Sequence, residues 1–382
     1  HIPALRIRTM LTEADIKTAV VVSPLPEELM AGMICFSVPQ QGNGEFSLPP
    51  VLNEDIAYIL FTSGSTGVPK GVMVTYLNLE NFIEWFISRP AIAALYPHAV
   101  LNQAQFSFDL SVADLYYTLY IGCTLELLQE GIPASAGASR AELAIMTPSY
   151  ADCCLLDECF AARALPCLQT IFFCGEPLRG STVRRLWQRF PGLRIINAYG
   201  PTEATCAISS AEITPDLAAQ EVLPIGRESG EAVDITLSAE NRICLQGTSV
   251  AAGYLNGACF EGRFLTGDLG HFEKEYLWYD GRCDDQIKYK GYRIEPVEIE
   301  AALTAQPNVQ QAVVLPRYDR LGRVVALRAL VTTDGTTDEE TLREALRHTL
   351  PDYMIPRQII VCDKLPLTVN GKTDRKKAAL LP

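Results

Sequence analysis

The chain has 382 residues, of which 48% are apolar and 20% are charged, and its formal net charge is −13. This composition allows a large core and two or three domains, and it excludes a largely disordered chain. The acidic charge argues against nonspecific nucleic-acid binding, and no apolar run reaches the ~18 residues of a membrane-spanning helix. No signal peptide is visible in the first ten residues, so we expect a cytoplasmic protein without membrane or nucleic-acid partners.

Short β-branched runs alternate with amphipathic helical patterns in the first half of the chain. The predicted buried strands are 19–22, 57–62, 170–173 and 193–196, and the predicted helices are 77–87 and 181–189. Runs of this kind are typical of a parallel sheet covered by helices on both faces. The predicted fold class of this part is therefore α/β.

Two further patterns follow along the chain. Over about 222–283, short alternating runs separated by glycine-rich turns predict an antiparallel sheet or a small barrel. Beyond it, 311–315 and 325–331 predict a hairpin, and 338–350 predicts a helix with Thr337 as its N-cap.

Charge separates the end of the chain from the rest. The segment 284–382 carries +1, whereas 1–283 carries −14. We therefore place a domain boundary between Cys283 and Asp284, with a larger body before it and a smaller unit after it.

Most of the 12 cysteines stand in apolar runs, and no CxxC pair occurs. Buried free thiols are the favoured interpretation, with disulfides or a zinc site as the alternative. The four histidines are scattered, which weakens any histidine-based metal site or hydrolase triad.

A loop rich in serine, threonine and glycine follows the predicted strand 57–62. Glycine permits close approach of the backbone, successive N–H groups can hold an anion, and a lysine adds positive charge. A polar turn is the alternative, and the Walker A pattern is not met because Pro69 stands where it requires glycine. The predicted phosphate-binding residues are Thr62, Ser63, Gly64, Ser65, Thr66, Gly67 and Lys70.

The segment from Thr62 to Gly71 resembles the phosphate loop of the adenylate-forming (ANL) superfamily, and further blocks follow in that family's order. That family comprises acyl-CoA synthetases, luciferases and the adenylation domains of nonribosomal peptide synthetases. The resemblance covers nearly the whole chain. It implies an α/β body with a small β-barrel-like part, followed by a mobile α+β lid over 284–382. A further segment precedes this region in the family, so we expect one face of the core to be uncovered.

The resemblance assigns roles to the other blocks. In the run from Asn197 to Glu203, it implies that Tyr199 stacks on adenine, Thr202 contacts the α-phosphate and Glu203 holds Mg²⁺. Asn197, Ala198 and Gly200 complete this nucleotide site.

The blocks after residue 260 complete the family pattern. The resemblance implies that Asp268 binds the ribose hydroxyls, Arg282 contacts ribose and phosphate, and Asp284 is the hinge of the lid. Lys372, in the C-terminal block, is implied to be the catalytic lysine, whereas a basic solvated tail is the alternative for that segment.

The substrate class depends on the block that contains Asp109. In the amino-acid-activating branch of the family this carboxylate pairs with the substrate ammonium, and a helix N-cap is the alternative. The block, with three others, is similar to D-alanine–carrier protein ligases. An uncharged side-chain pocket is implied for Leu110, Ala113, Ser149, Phe172, Cys174, Ala198, Cys206 and Ala207.

The predicted reaction is ATP-dependent activation of a small or medium uncharged amino acid, with alanine as a candidate and Mg²⁺ as cofactor. The aminoacyl group then passes to the phosphopantetheine thiol of a peptidyl or acyl carrier protein. An acyl- or aryl-CoA ligase of the same fold and a non-catalytic nucleotide-binding module remain as alternatives.

Overall fold

The computed structural model describes residues 2–21, 29, 33–37, 50–64, 67–128, 139–227, 233–320, 322–335, 337–368 and 373–381. Ser65, Thr66 and Lys372, which carry predicted roles, lie outside these ranges.

The described α-helices are α1 (Ala4–Glu13), α2 (Tyr76–Ile87), α3 (Pro90–Ala93), α4 (Leu110–Ile121), α5 (Pro148–Cys154), α6 (Gly180–Arg189), α7 (Pro215–Ala218), α8 (Pro296–Thr304), α9 (Glu339–Arg347) and α10 (Arg375–Ala378).

The described strands are β1 (Thr18–Val21), β2 (Ile34–Ser37), β3 (Ile56–Thr62), β4 (Lys70–Thr75), β5 (Ala99–Asn102), β6 (Thr124–Leu127), β7 (Ala141–Met146), β8 (Thr170–Phe173), β9 (Arg194–Tyr199), β10 (Ser209–Glu212), β11 (Gly226–Arg227), β12 (Val233–Leu237), β13 (Arg242–Gly247), β14 (Gly253–Tyr254), β15 (Arg263–Glu273), β16 (Tyr276–Arg282), β17 (Ile287–Tyr289), β18 (Tyr292–Ile294), β19 (Val309–Tyr318), β20 (Val324–Thr333) and β21 (Gln358–Val361).

The chain divides into two compact units. Unit 1 comprises His1–Val51, Phe61–Gly71 and Asp285–Pro382, and unit 2 comprises Leu52–Leu60 and Val72–Asp284. One division falls a residue after the predicted boundary at Asp284. The phosphate loop, however, groups with the C-terminal segment, so the simple division into 1–283 and 284–382 stays a prediction.

A six-stranded sheet forms the centre of unit 2, in the order β10-β9-β8-β7-β5-β6. All of its pairs are parallel except β10 with β9. Strand β8 is buried along its whole length, and two separate apolar clusters contain its alternate residues, such as Ile171 and Phe172. The prediction of a parallel α/β sheet covered on both faces is confirmed for the runs 170–173 and 193–196. It is wrong for 19–22 and 57–62, because β1 and β3 belong to other sheets and none of their described residues is buried.

The second sheet of unit 2 is antiparallel, in the order β11-β16-β15-β13-β12. It contains the alternating runs from which the β-rich region was predicted. Val233 and Ile235 alternate with exposed positions on β12, and they pack into an apolar cluster with Tyr199 from the end of β9. This cluster connects the antiparallel sheet to one end of the parallel sheet.

Unit 1 contains the predicted hairpin, formed by β19 and β20, with β21 parallel to β20. Helices α8 and α9 pack their apolar residues Ile299, Leu303, Leu342 and Leu346 against this sheet. The same unit includes α1 and the parallel pair β1–β2, on which Val20 and Phe36 are 70% and 55% exposed.

Two further predictions of local structure are wrong. The N-cap of α9 is Asp338, whose carboxylate accepts the backbone N–H of Thr341 at 2.9 Å, and not Thr337. An ionised carboxylate is the stronger acceptor at the positive end of a helix. The cysteines are free, but only Cys154, Cys174, Cys206 and Cys244 are buried. Several of the other thiols stand on loops, where an apolar sequence neighbour does not ensure burial.

Candidate active site

The predicted pocket residues of unit 2 lie near the carboxyl ends of the parallel strands. Phe172 lies near the end of β8, and Cys174 directly follows that strand. Ala198 lies near the end of β9, and Ser149 follows β7. In open α/β sheets, ligands bind outside this edge of the sheet. The order of strands therefore brings together segments that are far apart in the sequence.

One apolar cluster contains nearly all of these side chains. Its members from the predicted pocket are Leu110, Ala113, Phe172, Cys174, Ala198, Cys206 and Ala207, and each is at most 4% exposed. Ser149 is half-buried, and its backbone N–H donates to the carboxylate of Glu176 at 3.0 Å. The predicted pocket residues carry no charge themselves, so a charged substrate side chain would find no charged partner among them.

The backbone at Cys206 adopts a conformation that side-chain-bearing residues rarely use. Thr205 and Cys206 have φ of 53° and 76°. The Thr205 hydroxyl donates to the Ser249 carbonyl at 2.9 Å, and the Cys174 thiol lies 3.8 Å from the Cys206 carbonyl oxygen. Strained backbone of this kind is concentrated at functional sites because the surrounding structure must hold it in place.

Asp109 directly precedes α4 and accepts a hydrogen bond from the hydroxyl of Thr202. Its side chain caps none of the described α4 N–H groups, so the alternative N-cap role is wrong. Asp109 and Phe108 are half-buried, and Phe106 is 52% exposed. The polar partner at Thr202 keeps the carboxylate at the margin of the apolar cluster.

The predicted ribose carboxylate, Asp268, is held by a hydroxyl and a guanidinium. Tyr199 donates its hydroxyl to Asp268 at 2.8 Å, and Arg282 donates to the other carboxylate oxygen at 2.6 Å. Burial, then the neighbouring Asp268 charge, raises the pKa of Tyr199 well above its ordinary value, which keeps the phenol protonated as a donor.

Arg282 connects this group to the predicted hinge. It binds both carboxylate oxygens of Asp284, at 2.6 and 2.7 Å. A Cβ at Gly267 would lie 2.2 Å from the Asp284 carboxylate, so a larger residue there would displace the Arg282–Asp284 pair.

Glu203, the predicted Mg²⁺ ligand, is completely buried. Its carboxylate accepts the hydroxyl of Tyr254 at 2.6 Å. Mg²⁺ is commonly held by one or two carboxylates together with phosphate oxygens and water, so a single oriented carboxylate fits such an ion.

The phosphate loop is described with unit 1. A Cβ at Gly64 would lie 1.8 Å from the Val68 carbonyl oxygen, and Gly67 has φ of +83°. Both positions therefore require glycine, as in a loop that folds its backbone tightly. The buried hydroxyl of Thr62 has no hydrogen-bond partner among the described residues, which leaves a donor available there.

Sequence reasoning missed two polar residues of unit 2. Tyr254 holds Glu203 from 51 positions away, and nothing in its local sequence indicates this. Asp114 is completely buried on α4, where Asn102 donates to it at 2.5 Å. Burial raises the pKa of Asp114 from 3.8 to about 7. An acidic residue among apolar ones in α4, next to Ala113, was the signal that could have found it.

Two family models match the chain. Residues 2–255 match the model described as AMP-binding enzyme, and residues 298–372 match the AMP-binding enzyme C-terminal domain. The second match includes Lys372.

Curated relatives are similar over most of the chain. It is 37% identical to a D-alanine–D-alanyl carrier protein ligase of Bacillus licheniformis, over 86% of this chain and 71% of the relative. The enzyme of the same name from Streptococcus equi subsp. equi is 39% identical over the same shares of the two chains.

The fold is also similar to solved structures. An NRPS protein containing adenylation and PCP domains superposes with a TM-score of 0.82 at 25% identity, over 99% of this chain and 69% of that one. The o-succinylbenzoate CoA synthetase of Bacillus subtilis gives 0.84 at 18% identity, over 98% and 81%. This likeness confirms the predicted ANL fold.

No helix among the described residues is long and apolar enough to cross a membrane. The larger family model matches two thirds of the chain, and the curated relatives are D-alanine–D-alanyl carrier protein ligases. The chain therefore belongs to the family of AMP-binding enzymes.

Proposed function

We propose that this chain activates a small uncharged amino acid with ATP, forming an aminoacyl adenylate and pyrophosphate. It then transfers the aminoacyl group to the phosphopantetheine thiol of a carrier protein. D-Alanine is the first candidate substrate, because the relatives at 37% and 39% identity are named for it and the pocket residues are uncharged.

The hydrogen bond between Thr202 and Asp109 carries this proposal. An α-amino acid holds its ammonium and its carboxylate on the same carbon, so the two groups must bind within a few ångströms of each other. Asp109 is the proposed partner of the ammonium, and Thr202 is the proposed contact of the α-phosphate that the carboxylate attacks. Their direct contact provides that spacing, whereas an acid without an ammonium has no need of Asp109.

The neighbouring apolar cluster supports selection by side-chain size. Phe172, Cys174, Ala113 and Ala198 belong to one apolar cluster. We propose that the first two limit the size of the substrate side chain and that the two alanines leave room for it. A methyl side chain would bury its apolar surface there without leaving a polar group unpaired. Charged side chains are disfavoured because their desolvation would not be compensated.

In the first step, an oxygen of the substrate carboxylate attacks the α-phosphorus of ATP, and the bond to the bridging oxygen of pyrophosphate breaks. The protein has little covalent work to do, so positioning and charge stabilisation dominate. Lys372 is proposed to bridge the carboxylate and the α-phosphate, and Asp268, oriented by Tyr199 and Arg282, to hold the ribose hydroxyls.

Glu203 is the proposed ligand of Mg²⁺. The ion would neutralise phosphate charge during the displacement. The chain's own contribution is to orient the carboxylate through the Tyr254 hydroxyl, in a buried position where the charge is little screened.

In the second step, the phosphopantetheine sulfur attacks the carbonyl carbon of the adenylate, AMP leaves, and the thiol proton is released to solvent. We propose that rotation about Asp284 removes Lys372 between the two steps, as in domain-closure mechanisms. Arg282 holds Asp284 through two hydrogen bonds, which gives this residue a defined resting conformation.

Mass spectrometry of a carrier protein tests the complete reaction. The chain, Mg·ATP and D-alanine should add one alanyl group to a phosphopantetheinylated carrier, and nothing to the same carrier without its phosphopantetheine arm. Adenylate formation with no transfer to any carrier thiol would contradict the second step. Formation of an aryl- or acyl-CoA thioester from the free acid, ATP and CoA, with release of AMP and pyrophosphate, would favour the other ligase class.

A further inference from the structure

The segment that carries Asp109 connects the end of β5 to the start of α4. Two hydrogen bonds fold it, one from the Phe108 N–H to the Gln105 carbonyl at 2.8 Å and one from the Ser111 hydroxyl to the Phe108 carbonyl at 2.7 Å. Gln105 is exposed, so solvent reaches the middle of the segment. The position of Asp109 therefore depends on how firmly the two ends of the segment are held.

Asn102, the last residue of β5, holds the beginning of this segment and also the helix that follows it. Its side-chain amide donates to the Ala104 carbonyl at 3.0 Å and to the carboxylate of Asp114 on α4 at 2.5 Å. The side chains of Asn102 and Asp114 are 5% and 0% exposed. Because an amide nitrogen has two hydrogens to donate, one buried side chain connects strand, segment and helix.

The packing of α4 does not by itself call for a carboxyl group at residue 114. Val112, Ala113 and Tyr117 of the same helix belong to the apolar cluster. A carboxyl group is costly to bury, and an apolar side chain at this position would avoid that cost. The specific contribution of Asp114 is therefore its hydrogen bond with Asn102.

We propose that Asn102 and Asp114 are positioning residues for Asp109, and that their hydrogen bond holds its carboxylate where the substrate ammonium binds. Asp114 follows Asp109 by five residues, which corresponds to about 7.5 Å along a helix axis. Over so short a distance a helix is stiff, so a fixed Asp114 fixes the start of α4. A displacement of about 1 Å at a binding group can lower a rate about a hundredfold. The inference rests on the proposed function, because it takes Asp109 as the partner of the ammonium.

Two adenylate analogues, in which a sulfamoyl group replaces the phosphate, measure this role. D-Alanyl-sulfamoyl adenosine carries the ammonium, whereas propionyl-sulfamoyl adenosine lacks it. The ratio of their affinities for the full chain, from titration calorimetry, isolates the ammonium contact, since damage to the nucleotide site affects both analogues alike. In Asn102→Leu we expect the preference for the D-alanyl analogue to fall about tenfold.

Asn78→Leu is the matched control. Asn78 is 6% exposed and also donates both amide hydrogens to carbonyl groups, of Thr248 at 2.7 Å and of Val250 at 3.0 Å. Its replacement should cost stability, as in Asn102→Leu, but should leave the affinity ratio at the wild-type value. An equal fall of the ratio in both variants would reduce Asn102 to a structural role.

Variants of Asp114 test the hydrogen bond itself. Asp114→Leu should lower the ratio as Asn102→Leu does, and the double variant should lower it little further, because each change breaks the same contact. Asp114→Asn keeps a carbonyl oxygen as the acceptor and should retain the wild-type ratio.

An unchanged ratio in Asn102→Leu would overturn the proposal. If that variant does not fold, Asn102→Ser replaces it, since a hydroxyl has one hydrogen to donate and cannot make both contacts. We expect its ratio to fall at least threefold, and a wild-type ratio would be equally decisive against the proposal. If the wild-type chain itself binds the two analogues equally, the ammonium role of Asp109 fails, and the proposed function fails with it.

Discussion

The two units provide different partners for their carboxylates. In unit 2, Asp109 accepts the hydroxyl of Thr202, and Glu203 accepts that of Tyr254. In unit 1, Glu298 pairs with Arg6, and Glu300 pairs with Arg375. A hydroxyl orients a carboxylate without cancelling its charge, whereas a guanidinium neutralises it.

This difference matches the proposed roles. A carboxylate that receives a substrate ammonium or a metal ion must keep its negative charge, and the hydroxyl contacts of Asp109 and Glu203 allow that. A carboxylate that connects elements of structure is more stable when a cation accompanies its burial. Asp268 has both kinds of partner, the Tyr199 hydroxyl and the Arg282 guanidinium. Its proposed ligand, the ribose hydroxyls, is uncharged, so Asp268 does not need to keep its full negative charge.

Removing the charge at Asp109 should give the largest effect. In Asp109→Asn we expect kcat/KM for the amino acid to fall about a thousandfold, because the ammonium loses its charged partner. ATP–pyrophosphate exchange at varied amino acid concentration measures this. Asp152→Asn is the control, since Asp152 also accepts a threonine hydroxyl, from Thr182 at 2.8 Å, and has no proposed role. Unchanged turnover in Asp109→Asn would remove Asp109 from the site.

Replacement of Lys372 should have the next largest effect. We expect Lys372→Ala to slow adenylate formation by about a few hundredfold, since one charged contact with the reacting groups is lost. Thioester formation from a chemically prepared adenylate should change less than threefold. Lys376→Ala serves as the matched lysine control. Equal loss of both steps would contradict a role of Lys372 confined to the first step.

Asp114 extends the comparison to a buried carboxyl whose partner is the amide of Asn102. Because its pKa is raised from 3.8 to about 7, the neutral form is favoured in the folded chain. Its contribution to stability is therefore full at low pH and is lost as the pH rises through 7.

The variant Asp114→Asn should lack this dependence. Between pH 5 and pH 8, the free energy of unfolding of the wild type should fall relative to the variant by about 2 to 3 kcal/mol. Urea unfolding at the two pH values measures the difference, with Asp152→Asn as the control. A constant difference between wild type and Asp114→Asn would show that Asp114 does not titrate in this range.

Tyr254→Phe should have the smallest effect. It removes the hydroxyl that orients Glu203 but leaves the carboxylate, so we expect the apparent affinity for Mg²⁺ in the exchange reaction to weaken about tenfold. Tyr96→Phe, at a site that is 89% exposed, should change nothing. A kcat that falls while the Mg²⁺ dependence stays constant would argue against a role of Tyr254 at the metal.

Local patterns were sufficient for much of the fold. The patterns of apolar residues in β8 and α6 predicted the bounds of both elements to within a residue. Such patterns suffice because the formation of a strand or helix depends mainly on residues close together in the sequence. The motif blocks also assigned roles to Asp268 and Glu203 by resemblance, and these roles stay predictions. The start of α9 was misplaced by one residue because Thr337 and Asp338 are both good caps, and their sequence does not decide between them.

The contacts between distant residues could not be predicted. Arg6 and Glu298 are 292 positions apart, and Asp109 and Thr202 are 93 apart. Such pairs depend on the order of strands and on the packing of helices, which a single sequence specifies only through the complete fold.

Amino-acid-dependent ATP–pyrophosphate exchange by the wild-type chain tests the central claim most directly. The panel should contain both enantiomers of alanine, with serine, valine, proline and several aryl acids. We predict exchange with one small uncharged amino acid, and with D-alanine before the others. Exchange with aryl acids alone, or no exchange by a chain that binds ATP, would contradict the assignment of an amino acid ligase.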